Sequence, residues 1–143
     1  MVRETGLGKF QSMVMTGRHR MLADEPESVG GFDSGPSPYG FLSAALGSCT
    51  VMTVRMYADQ KHIPLEAVRA EIRHDKVHSD DCTECAKDRL PKSGKIDRFE
   101  RKLTFIGDLD APTRARLLEI ADKCPVHRTL QATSLIVTVD KPA

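Results

Sequence analysis

The sequence has no surplus of charge of either sign: 21 basic side chains stand against 20 acidic ones, a formal net charge of +1 over 143 residues. Such a balanced surface lacks the basic field that draws a protein to nucleic acid or anionic lipid, so neither is expected as a partner. A long hydrophobic run is missing too. The most apolar stretch, Phe41 to Val54, falls short of the roughly 20 residues of a membrane span and carries Ser and Thr throughout. The opening Met1-Val2-Arg3-Glu4 lacks the apolar segment of a secretory signal, from which a cytoplasmic location is expected. Repeats, heptads and low-complexity tracts are also absent, so solenoids and coiled coils are excluded.

Cysteine is scarce and scattered: Cys49, Cys82, Cys85 and Cys124. The length suits a single domain, 1–143, able to bury a core of its own, so no disulfide framework is needed. In a reducing compartment such cysteines bind metal, react, or sit buried as small hydrophobes, and their position along the chain must decide.

The pattern predicts a hairpin over Phe10 to Ala23, broken at Thr16-Gly17, and then a mobile loop from Glu25 through Ser37 rich in Gly and Pro. Ser37-Pro38 offers an N-cap and a first-turn proline, and a long helix runs on to about Lys61. Leu42, Leu46, Cys49, Met52, Thr53 and Met56 recur at spacings of three and four, which places Cys49 mid-helix on an expected buried stripe. After Pro64, the residues Val68, Ala70, Ile72, His74, Lys76 and His78 share one parity of a strand, opposite Arg69, Glu71, Arg73 and Asp75. A polar insertion, about 79–95, separates it from a second strand in which Phe99, Leu103 and Phe105 alternate with charges. Asp110-Ala111-Pro112 opens a helix with Leu117, Leu118, Ile120 and Ala121 on its inner stripe, and a short helix restarts at Pro125 with Cys124 as its cap. Leu135, Val137 and Val139 alternate as a final strand, completing an α+β arrangement.

A thiol is a nucleophile only as thiolate, so a cation or a helix start must lower its pKa from about 8.5. Cys49 lies several turns into its helix, where the dipole has faded, and needs a positive side chain brought from elsewhere. Cys124, at a helix start with His127 and Arg128 just beyond, is the more acidic thiol on local grounds.

Gly35-Pro36-Ser37-Pro38-Tyr39-Gly40-Phe41-Leu42-Ser43-Ala44-Ala45-Leu46-Gly47-Ser48-Cys49-Thr50, followed much later by Ala121-Asp122-Lys123-Cys124-Pro125-Val126-His127-Arg128, resembles the OsmC/Ohr superfamily of osmotically inducible and organic hydroperoxide resistance proteins. The resemblance spans nearly the whole chain. It implies an OsmC-like fold: an antiparallel sheet, a long central helix carrying Cys49 and a helix pair carrying Cys124, in an intertwined homodimer with active sites at the subunit interface. It further implies a thiol peroxidase of oxidative stress defence that needs no cofactor. Cys49 resembles the peroxidatic cysteine, which attacks the distal oxygen of an organic hydroperoxide, and Cys124 the resolving cysteine, which closes a disulfide on the sulfenic acid. A dithiol reductant, lipoyl or thioredoxin-like, would reset the pair. The family's cation is an arginine of the N-terminal hairpin, matched here by Arg18, with Arg20 as second choice. The family also places a glutamate after the helix-opening proline to hold that arginine, whereas this chain reads Pro38-Tyr39-Gly40. A phenol can hydrogen-bond an arginine but cannot pair with it as a carboxylate does.

The run His74-x3-His78-x3-Cys82-x2-Cys85 offers ligand types that zinc accepts. His74 and His78 would lie roughly 13 Å apart along a strand, too far to share one ion, so His78, Cys82 and Cys85 form the candidate zinc set. The competing readings are a labile Cys82–Cys85 dithiol, or surface residues with His74 packed on the core. Two functional alternatives to a peroxidase stand beside it: a non-catalytic module binding a small apolar ligand near Met52 and Met56, and a zinc-binding module.

Overall fold

The computed structural model describes residues 1–78, 94–132 and 134–140. The chain divides into two compact units, Met1–Ala45 with Ile72–Glu100, and Leu46–Glu71 with Arg101–Ala143.

In the first unit, β1 (Val2–Glu4), β2 (Ser12–Thr16) and β3 (His19–Ala23) form an antiparallel sheet in the order β1-β2-β3. The predicted hairpin is β2–β3, closed where Thr16 pairs with His19 across Gly17-Arg18. Gly17 adopts φ +56°, the left-handed conformation that glycine enters without a Cβ penalty. The three residues of β1 are too few to show alternation in sequence.

The Gly- and Pro-rich segment after β3 is tied down rather than loose. Asp24, only 2% exposed, accepts from the N–H groups of Glu25, Phe32 and Ser34 at 2.9, 3.1 and 3.3 Å and from the Ser34 hydroxyl at 2.8 Å. A buried carboxylate is tolerated there because donors surround it, and the Ser34 hydroxyl leads the interactions that hold its pKa below the usual range. Gly35 seals the arrangement: a Cβ at that position would lie 2.2 Å from the Leu22 carbonyl oxygen.

The long helix α1 spans Pro38–Gln60, and the Ser37 hydroxyl accepts from Gly40 N–H at 3.2 Å as the capping signal predicts. Its residues from Leu46 onward belong to the second unit, with the outer parts of β4 (Ala67–His78) and β5 (Lys95–Ile106), and with α2 (Ala111–Ala121) and α3 (Pro125–Gln131). β4 and β5 pair, and the contacts Glu66–Ile106 at one end and His74–Asp97 at the other fix them as antiparallel. Asp110 caps α2 by accepting from Thr113 N–H at 2.8 Å. Val54, Ala58, Leu65, Phe105, Leu117, Ile120 and Ala121 form the core of this unit. Each large side chain buried there contributes about 1.5–3 kcal/mol of transfer free energy.

Two predicted stripes differ in the structure. The buried face of α1 is Leu46, Gly47, Thr50, Val54 and Ala58, while Met52 and Met56 are 64% and 72% exposed. Apolar residues surround this helix, so periodicity could not choose a face, and Thr50 escapes notice because its polarity hides a burial that hydrogen bonding makes possible. In α2, Leu117 is buried but Leu118 is half exposed. The final strand expected at Leu135, Val137 and Val139 does not form: residues 134–140 carry no strand, and those side chains are exposed. An alternating segment becomes a strand only against an edge that takes up its N–H and C=O groups.

Candidate functional site

Cys49 and Cys124, read from sequence as residues that could meet, lie together in the second unit, both as free thiols. Cys49 stands on α1, partly accessible, and Cys124 is fully buried at the α2–α3 junction, where it precedes Pro125 as the N-cap of α3. The junction follows from sequence: Pro125 cannot continue α2, but its fixed φ suits the first position of a new helix.

The two thiols lie within hydrogen-bonding reach of each other. Burial pushes the Cys49 pKa up, and the adjacent Cys124 sulfur adds to this against smaller opposing contributions from Val126 N–H and the Thr53 hydroxyl. Burial opposes ionisation of Cys124 as well. There it is outweighed by the Cys49 thiol, His127 N–H, the Thr50 hydroxyl and Val126 N–H, so the Cys124 pKa falls below its ordinary value. The Cys124 sulfur makes no capping bond of good geometry, yet the N–H groups at the start of α3 still favour its charge. Of the two, Cys124 is the more acidic thiol, as its place at a helix start led us to expect, and the accessible sulfur is that of Cys49.

One residue of this site was not singled out from sequence. Arg101 of β5, with a side chain 12% exposed, donates from Nη1 to Thr50 Oγ1 at 2.9 Å and to the Ala121 carbonyl at 3.1 Å, and from Nη2 to Asp122 Oδ1 at 2.6 Å. The signal was present: Arg101 sits on the same strand parity as Phe99, Leu103 and Phe105, a charge on the covered face.

Arg18 occupies the exposed β2–β3 turn and Arg20 lies on β3, both in the first unit. Tyr39, at the place of the glutamate, has its ring stacked on His74 with centroids 4.1 Å apart, and Lys76 Nζ lies 5.4 Å from that ring. His74 also packs near Phe99 and meets Asp97 Oδ1 at 2.8 Å, so it is a partnered histidine of the β4–β5 pair. His78 ends β4, while Cys82 and Cys85 lie outside the described residues. Among the described residues no group of three or more His, Cys, Asp or Glu could hold a metal ion, and no helix is long and apolar enough to cross a membrane.

The solved structures similar to this chain share its architecture. An organic hydroperoxide resistance protein OsmC from Legionella pneumophila superposes with a TM-score of 0.64 at 17% identity, over 91% of this chain and 87% of that one. An OsmC-like protein from Mycoplasma pneumoniae gives 0.66 at 14% identity, covering 92% and 86%. An organic hydroperoxide resistance protein from Elizabethkingia anophelis gives 0.65 at 15% identity, covering 90% and 84%. No curated protein matches the chain. The model of the OsmC-like protein family matches residues 31–140, which include α1, both site cysteines and Arg101. With that match over most of its length, and with this α+β fold, the chain belongs to the OsmC-like family of the OsmC/Ohr superfamily.

Proposed function

We propose that the protein is a cysteine-based peroxidase that reduces organic hydroperoxides through a Cys49–Cys124 disulfide. The observation that carries this reading is the direct interaction of an accessible thiol on α1 with a buried, acidified thiol at the start of α3. The hydroperoxide resistance named for two of the similar structures supports it.

The chemistry follows from the contact between a less acidic, accessible thiol and a more acidic, buried one. Cys49 passes its proton to the Cys124 thiolate and attacks the distal peroxide oxygen. The O–O bond breaks, the alkoxide leaves and takes a proton from solvent, and Cys49 carries the sulfenic acid. Cys124 then attacks the Cys49 sulfur. Its proton departs with the hydroxyl group as water, and the S–S bond forms. Two thiols lose two electrons to the peroxide, giving one alcohol and one water. A dithiol reductant, lipoyl or thioredoxin-like, returns the electrons. Arg18, or Arg20, is the proposed cation that steadies the Cys49 thiolate as it forms, the carboxylate partner of the family being replaced here by Tyr39.

A homodimer completes this proposal. Met52, Met56, Leu135, Ile136, Val137 and Val139 leave apolar surface exposed in the second unit, and a second copy would cover it. With dithiothreitol in excess, the protein is expected to turn over cumene hydroperoxide catalytically, and faster than hydrogen peroxide. Consumption no faster than by dithiothreitol alone would contradict the reading.

A further inference from the structure

A guanidinium on the covered face of a strand must be held by acceptors, because an unpaired buried charge is costly. The acceptors of Arg101 are not spread at random. They are the hydroxyl of Thr50, the residue after Cys49, and the carbonyl of Ala121 and the carboxylate of Asp122, the last residues before the turn that presents Cys124. Three hydrogen bonds thus tie the α1 segment that carries one thiol to the α2–α3 junction that carries the other. Asp122 Oδ1 is shared, since His127 Nδ1 of α3 approaches it at 3.9 Å.

Thr50 links this clamp to sulfur. Its side chain is fully buried, its hydroxyl donates to the Leu46 carbonyl at 2.7 Å, and the same hydroxyl lies beside the Cys124 sulfur and favours its ionisation. Donation from Arg101 into Oγ1 draws electron density from the hydroxyl and makes its O–H the stronger donor.

We propose that Arg101 is a positioning residue for the Cys49–Cys124 pair, holding Thr50 and the α2–α3 junction so that the Cys124 sulfur faces Cys49. It touches neither peroxide nor sulfur and acts through Thr50. The proposal rests on the dithiol reading above, and it concerns the step in which Cys124 closes on the oxidised Cys49 sulfur.

The test uses the full chain and two oxidants. Diamide takes two electrons and two protons from the thiol pair, becoming the hydrazine as the disulfide forms, and it requires no peroxidase activity. Disulfide closure is followed from pH 5 to 9 in wild type, Arg101→Gln, Arg101→Lys and Thr50→Val, with diamide and with cumene hydroperoxide. Arg101→Gln is expected to slow closure near neutral pH roughly tenfold or more and to move the midpoint of the pH profile upward, because loss of the cation raises the first apparent pKa of the pair. Arg101→Lys should restore part of both effects, and Thr50→Val should reproduce the upward shift with Arg101 in place. Merely structural damage would slow closure without moving the midpoint. Coincidence of the Thr50→Val and wild-type profiles, or of the Arg101→Gln and wild-type profiles, would overturn the proposal, and the first comparison stands even if Arg101→Gln fails to fold. Inertness of wild type toward cumene hydroperoxide together with a shifted diamide profile would remove the peroxidase reading and leave the role of Arg101 standing.

Discussion

Replacing Cys49 with serine is expected to bring cumene hydroperoxide consumption down to background, a loss of roughly three orders of magnitude or more, because no other described sulfur is both accessible and paired. The loss should be chemical rather than structural: Cys49 is only partly buried, and serine preserves the helix. Cys124→Ser should behave differently. With its resolving partner gone, Cys49 is expected to be oxidised once by one equivalent of peroxide and to stop at the sulfenic acid, which dimedone captures as an adduct on Cys49. The lower pKa belongs to Cys124, so its removal also takes away the base that accepts the Cys49 proton, and the single turnover should be slowed near neutral pH. A dimedone adduct on Cys124 in the Cys49→Ser protein would exchange the two roles.

The second large effect concerns stability. Leu117 is fully buried, in a cluster with Val54, Ala58, Leu65, Phe105, Ile120 and Ala121. Its truncation to alanine leaves a cavity that neighbours from three separate elements cannot all collapse to fill. The expected cost is about 3 kcal/mol, within the range for buried leucines. That corresponds to a fall in Tm of roughly 10 °C for a chain of this size. Thermal unfolding by circular dichroism checks it, and a loss under about 1 kcal/mol would mean that this core is not what holds the second unit together.

How much of this was legible in the sequence depended on whether local pattern or tertiary contact decides. The Ser37-Pro38 and Asp110-Ala111-Pro112 signals marked helix starts because capping is local chemistry. The alternation of β5 showed which parity is covered, and that of β4 did so as far as His74, beyond which Lys76 and His78 are exposed and Val77 is half-buried; Pro125 showed where α2 had to stop. Periodicity failed on α1, where Met52 and Met56 read as core but face outward while Thr50 is buried. A threonine enters a core only when its hydroxyl has partners, and those partners, Leu46 O and Arg101, become visible only in three dimensions. The final strand failed for a related reason, since Leu135 to Val139 have the composition of a strand but pair with no described strand. For the site, the pattern allowed Cys49 and Cys124 to meet, the family resemblance pointed to them as the working pair, and helix-start electrostatics ranked their acidity. Arg101 was written in the parity of β5, as a charge on the face it shares with Phe99, Leu103 and Phe105.

The most direct test of the central claim, a redox-active pair formed by Cys49 and Cys124, is to treat the reduced protein with one equivalent of cumene hydroperoxide and map its bonds by non-reducing peptide mass spectrometry. The account predicts rapid formation of a Cys49–Cys124 disulfide with release of one equivalent of alcohol. A Cys82–Cys85 disulfide in its place, or recovery of all four cysteines as free thiols, would contradict it.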